Sequence, residues 1–168
     1  MIGNDIVDLK LAQTQSNWKR KGYLDKIFTK IEQLLIFKSE NPNQTVWNLW
    51  SKKEASYKIY NRITGNRIYN PLQFECFDSE QYIGIVRNNG VSYYTRTEMN
   101  SLYIHTISVL NLDDFKKIRF EDRNSEIIKI NGIPFLKYPD KKVLNPISIS
   151  NHGRFEKIVS LLQTQPTF

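Results

Sequence analysis

The chain has 168 residues, 40% of them apolar and 24% charged, with a formal charge of +7. It is long enough to bury a core, too polar for a membrane protein and too apolar for a disordered tail. Asp5 and Asp8 stand where a secretory leader needs bases, and no apolar run approaches the roughly 20 residues of a membrane helix. The single cysteine, Cys76, has no partner for an internal disulfide and leads to the expectation of a reducing, cytoplasmic setting.

In chain order, Ile2 to Leu9 is short and β-branched and reads as a strand. Tyr23 to Phe37 carries Leu24, Ile27, Phe28, Ile31, Leu34 and Leu35 at helical spacing and reads as one helix, broken by Asn41-Pro42-Asn43. Val46 to Arg62 reads as a second helix with Val46, Leu49, Trp50, Tyr57 and Tyr60 on its apolar stripe, stopped by Gly65-Asn66. After Pro71 the pattern turns to strands. Tyr82–Arg87 and Val91–Thr97 flank Asn88-Asn89-Gly90, a hairpin signal because Asn and Gly accept the positive φ of a type I′ turn. Leu102–Leu110 alternates and joins them. Asp113–Asn124 reads as a charged helix-loop stretch. Ile127–Ile130, Pro146–Ser150 and Phe155–Leu162 are further strand candidates, with turns at Asn131-Gly132 and around Asn151-His152-Gly153. Helices early and antiparallel strands late make an α+β chain, an antiparallel sheet packed against helices, taken as one domain over residues 1–168.

The charge is uneven. Lys10 to Arg67 holds 12 Lys/Arg against four acids, whereas residues 68–168 hold 12 against 11. A polyanionic partner is expected on that segment, though a solvated lysine-rich face would carry the same composition.

Three patches could carry chemistry. Glu54 and Lys58, four apart on the second helix, project from one face, a spacing shared with ordinary surface ion pairs. Asp5 and Asp8 end the first strand and face opposite sides of it, so only one can point into a given cleft. One such Asp with Glu54, plus waters and a phosphate, would give Mg²⁺ the oxygens it prefers. Third, Ser148-Ile149-Ser150-Asn151-His152-Gly153-Arg154 sets hydroxyls, backbone N–H groups and a cation in a row, a combination that can surround a phosphate.

The wording and order of these motifs resemble the phosphopantetheinyl transferases. The residues are Gly3-Asn4-Asp5, Phe28-Thr29-Lys30-Ile31-Glu32, Trp50-Ser51-Lys52-Lys53-Glu54-Ala55-Ser56-Tyr57-Lys58 and Ser148-Ile149-Ser150-Asn151-His152. With the Asp motif first and the Ser-x-Ser motif last, the order is that of the short holo-acyl-carrier-protein synthase type. The likeness is thin from about residue 75 to 129. The usual histidine after Ser-x-Ser is Asn151 here, so either Asn151 or His152 would meet the phosphate.

The resemblance implies Mg²⁺ on Asp5 and Glu54, and coenzyme A as co-substrate. It implies Glu54 as proton acceptor and Lys58 at the leaving phosphate, with Lys53, Arg67, Ser150 and His152 as lesser phosphate contacts. The acceptor would be a serine of an acidic acyl or peptidyl carrier protein, as used in fatty-acid or polyketide assembly. In the short type a neighbouring subunit completes the site, so a homo-oligomer is expected, unless this longer chain closes the site by itself. The rival readings are a degenerate member of the same family acting as a scaffold, suggested by Asn151, and a nucleic-acid-binding module using Trp18, Tyr23, Trp47 and Trp50. Trp47 and Trp50 stand beside a core stripe, which argues against free stacking rings and against nucleic acid as the partner.

Overall fold

A computed structural model describes residues 1–78, 83–122, 126–137 and 144–162. The first strand, β1, runs Ile2–Asp8. Helices α1 (Leu9–Gln15), α2 (Tyr23–Ile27), α3 (Lys30–Lys38) and the long α4 (Pro42–Thr64) follow. Strands β2 (Glu75–Asp78), β3 (Ile83–Asn88), β4 (Val91–Met99) and β5 (Tyr103–Val109) complete the first half. The second half holds a 3₁₀ turn at Leu112–Lys117, then β6 (Ile118–Phe120), β7 (Ile127–Ile130), β8 (Ile133–Lys137), β9 (Leu144–His152) and β10 (Phe155–Leu161). Two five-stranded antiparallel sheets result, ordered β1-β5-β4-β3-β2 and β6-β10-β9-β8-β7.

Several local rules act as the sequence suggests. Asn41 caps α4 with its side chain and Pro42 occupies the first turn, where a missing N–H costs nothing. Gly65 ends the helix with φ +71°. Asn89 and Gly90 both take positive φ between β3 and β4, and Asn131-Gly132 repeats the device between β7 and β8.

The expected single helix over Tyr23–Phe37 is two helices. Thr29 accepts from the Glu32 N–H and Glu32 returns a bond to the Thr29 N–H, a capping box that starts a new helix and shifts its phase. Glu32 and Ile36 therefore turn inward, while Ile31, Leu34 and Leu35 are exposed. The Asp113–Asn124 stretch contains a short strand, β6, and its last two residues, like Tyr82, lie outside the described residues. Strands β2 and β8 and helix α1 are additions to the sequence reading.

Helix α4 packs on the first sheet, burying Val46, Leu49 and Ile59 with Phe74, Val86 and Ile104. The second sheet meets the first through Ile2, Ile107 and Val109 against Phe115 and Val159. Of the two tryptophans beside the core stripe, Trp47 is buried and Trp50 partly buried; Trp18 is buried as well.

Candidate active site

The site is built where β1 crosses α4. A Cβ on Gly3 would stand 2.0 Å from the Ala55 carbonyl oxygen, so only glycine lets the strand touch the helix backbone there. Glycine 3 is two residues from Asp5, and Ala55 is next to Glu54. One backbone contact thus brings both acids to the same place.

Beta strand β1 is an edge strand, and the N–H groups of Asn4, Ile6 and Asp8 point away from its partner β5. An unpaired edge would be costly or adhesive. Strand β9 meets it with side chains instead of a main-chain ladder. The Asn4 N–H donates to Ser148 Oγ (2.9 Å), Ile6 N–H to Ser150 Oγ (3.0 Å) and Asp8 N–H to His152 Nδ1 (2.8 Å). The period of two on each strand keeps the rows in step. The carbonyls are bridged from α4. Lys58 Nζ donates to Asn4 O (2.6 Å) and Ile149 O (3.3 Å), and one turn on Arg62 donates to Ile2 O and Ile147 O.

Asp5 and Glu54 line one cavity of about 190 Å³, with Trp47, Trp50, Asn151 and His152 among its walls. Asp5 Oδ1 accepts from Ser150 Oγ (3.0 Å) and lies 3.8 Å from Lys58 Nζ. No hydrogen bond or ion pair among the described residues reaches the Glu54 carboxylate. Burial, and then the Asp5 charge, push Glu54 up to about 7, with Lys58 opposing. Burial also raises Asp5, against the pull of Lys58 and Ser150. Burial lowers Lys58, against Asp5 and Glu54. Beyond Lys58 a second cleft of about 360 Å³ opens, carrying Arg62, Lys129 and Asn151.

Of the four expected phosphate contacts, Lys53 and Arg67 lie away from the cavity, and Ser150 and His152 lie at it but are held by other partners. Lys53 is fully buried, 2.7 Å from Glu32 Oε2, and donates to Pro71 O (2.9 Å). It lies one residue, or 100° of helix, from Glu54, and so points at α3 rather than the cavity. Arg67 lies past the end of α4 and donates to Asn131 O at the β7–β8 turn (2.9 Å). Ser150 is engaged by Ile6 and Asp5. His152 is engaged by Asp8 and by Gln15, at 3.2 Å from Nε2. The structure does bring Asp5, Glu54 and Lys58 together, and it leaves Asn151 exposed at the cavity wall.

Asp8 faces away from Glu54. It caps α1 through the Lys10 and Leu11 N–H groups and receives a two-pronged bond from Arg154, at 2.8 Å each. That pairing holds its carboxyl well below the usual range. Arg154, read from the sequence as the cation of a phosphate patch, pairs instead with Asp8. Sequence reasoning missed Arg62, which had a signal, since it continues the Glu54–Lys58 row by another four residues.

Comparison with known proteins gives the family. Residues 1–108 match the family model described as the 4'-phosphopantetheinyl transferase superfamily. The chain belongs to that superfamily and is a transferase of the phosphopantetheinyl class. No curated protein sequence matches it. Solved structures share the fold at low identity. The apo-ACPS structure from Chronobacterium ammoiniagenes has a TM-score of 0.53 and 15% identity, covering 64% of this chain and 93% of that one. Helicobacter pylori holo-[acyl-carrier-protein] synthase, in complex with coenzyme A, gives 0.53 and 14%, covering 66% and 100%. Thermotoga maritima holo-[acyl-carrier-protein] synthase gives 0.51 and 14%, covering 76% of each chain. The α+β class read from the sequence holds.

Proposed function

We propose that the protein moves the 4'-phosphopantetheine group of coenzyme A onto a serine of an acidic apo carrier protein, releasing 3',5'-ADP. The observation that carries this reading is the pair of carboxylates, Asp5 and Glu54, facing one cavity with Lys58 beside them.

Asp5 and Glu54 come from separate elements, and no cluster of three or more ligating side chains occurs among the described residues. Two carboxylates fit Mg²⁺, which keeps several waters and shares phosphate oxygens of its substrate. Held there, the ion would neutralise charge on the diphosphate and align it. Ser150 orients Asp5 by donating to Oδ1. The carrier serine oxygen bonds to the phosphorus that bears the pantetheine arm. The bond from that phosphorus to the bridging oxygen breaks, and the electron pair leaves with 3',5'-ADP. Glu54, free of other partners, accepts the serine proton. Lys58 stabilises charge on the departing phosphate. The cleft with Arg62 and Lys129 supports placing the nucleotide end on that side, and Asn151, shared by both cavities, is the better candidate than His152 for a phosphate contact. The basic Lys10–Arg67 segment would speed encounter with an acidic carrier.

Because Ser150 meets Asp5 of the same chain, the site needs no second copy, and light scattering of the active protein is expected to give a single-chain mass. A reducing cytoplasm is the setting this reading assumes.

The test is incubation with coenzyme A, Mg²⁺ and a panel of apo carrier proteins, read by intact mass. A carrier heavier by one phosphopantetheine arm supports the reading; no mass gain on any carrier overturns it. Glu54→Gln should lower transfer more than about 1,000-fold while leaving the fold intact by circular dichroism.

A further inference from the structure

Tyr69 lies in the segment between Gly65, which ends α4, and a 3₁₀ turn at Pro71–Gln73. Its ring packs on Tyr57 at 4.5 Å, on Trp50 at 5.9 Å and on Phe74 at 5.9 Å between centroids. Trp50 and Tyr57 stand four residues before and three after Glu54, its two neighbours along that face of α4. A ring that touches both lies across Glu54. The loop is pinned there, since Tyr57 Oη donates to Arg67 O at 2.8 Å. Yet the Tyr69 hydroxyl is buried and has no hydrogen-bond partner among the described residues. Among the buried hydroxyls of the described residues, Ser51 pairs with Thr106, Ser56 with Ser108 and Ser150 with Asp5, whereas Thr95, like Tyr69, has no partner. Burial first, and then the nearby Glu54 charge, keep the phenol protonated, so it has a proton to give.

An orphaned buried donor is destabilising, and a fold that keeps one needs a partner for it in another state. Glu54, between Trp50 and Tyr57 on α4, has acceptors to spare, since no hydrogen bond or ion pair among the described residues reaches its carboxylate. We propose that Tyr69 is a positioning residue: in the substrate-loaded protein its hydroxyl donates to the Glu54 carboxylate and fixes the direction of the oxygen that takes the serine proton. This rests on Glu54 being the working carboxylate of the transfer.

Tyr69→Phe removes the oxygen and keeps the ring contacts. Expected are a fall in kcat of about tenfold or more, KM for coenzyme A and carrier within about twofold, and an unliganded melting temperature equal to or above that of the wild type. A Mg²⁺ titration with coenzyme A present, followed by melting temperature, should show a midpoint several-fold higher in the variant. Wild-type kcat in the variant overturns the proposal. So does a loss of kcat matched by a lower melting temperature, which marks the hydroxyl as structural. If the wild type transfers nothing, the transferase reading has failed, and the Mg²⁺ titration still decides the link between Tyr69 and Glu54. Identical midpoints then remove Tyr69 as well.

Discussion

The two sheets hold the site in different ways. Residues of the first half, β1 and α4, meet through backbone and an apolar core, with Gly3 on Ala55 and Ile59, Val46 and Ile104 buried beneath. The second sheet approaches the same strand through two hydroxyls and an imidazole that satisfy the edge of β1, while Lys58 and Arg62 of α4 bridge carbonyls of β1 and β9. The first arrangement sets where the carboxylates are. The second sets how one of them is oriented, because Ser150 bonds both the Ile6 N–H and Asp5. Placement and orientation are therefore separable, and substitutions should divide along that line.

The largest stability effect is expected within the first half. Lys53→Met leaves Glu32 buried without its cation, a loss of about 3–5 kcal/mol measured by urea denaturation. An unchanged stability with a raised KM for coenzyme A would return Lys53 to the phosphate and blur the division.

His105 tests the junction. Its Nε2 accepts from Asn4 Nδ2 at 3.3 Å, and burial, then Lys157, lower its pKa to about 4. The unfolded chain takes up this proton below about 6.5 and the folded chain only below about 4, so stability falls as pH drops from 6.5 to 4. The loss attributable to this group is about 3 kcal/mol. His105→Gln should flatten that part of the pH–stability curve; an unaltered slope in denaturation at pH 7 and pH 4.5 would refute the assignment.

The smallest change in stability should come from the second sheet. Ser150→Ala orphans the Ile6 N–H and frees Asp5, at about 1–3 kcal/mol. Transfer should nevertheless drop about 10- to 100-fold, as expected when an orienting partner of a ligand is lost. Equal losses of stability and transfer across both halves would erase the contrast.

Much of this was legible before coordinates. The long helix, the first strand and the Asn-Gly hairpin follow from spacing and turn chemistry, and the acids were found by motif. What failed did so for identifiable reasons. Thr29-Lys30-Ile31-Glu32 was counted as part of a continuous apolar helix, but a threonine three residues before a glutamate is also a helix start, and the restart exposed Ile31 and Leu34. Lys53 looked equivalent to Lys58 by chemistry, yet five residues, about 140° of helical rotation, send one into the core and the other beside Asp5. Ser150 and His152 were read as phosphate donors because pairing between an edge strand and a distant row of side chains leaves no local signature. Tyr69 was invisible because its meaning lies in a bond it does not make.

The contact of Gly3 with Ala55 has a wider consequence. It works as a gauge block: the gap between the two carboxylates is set by atoms every polypeptide has, with a hydrogen where a methyl would jam. Surrounding side chains can then drift without resetting that spacing. Anyone rebuilding this pocket for a different substrate has freedom nearly everywhere except at that one touching point.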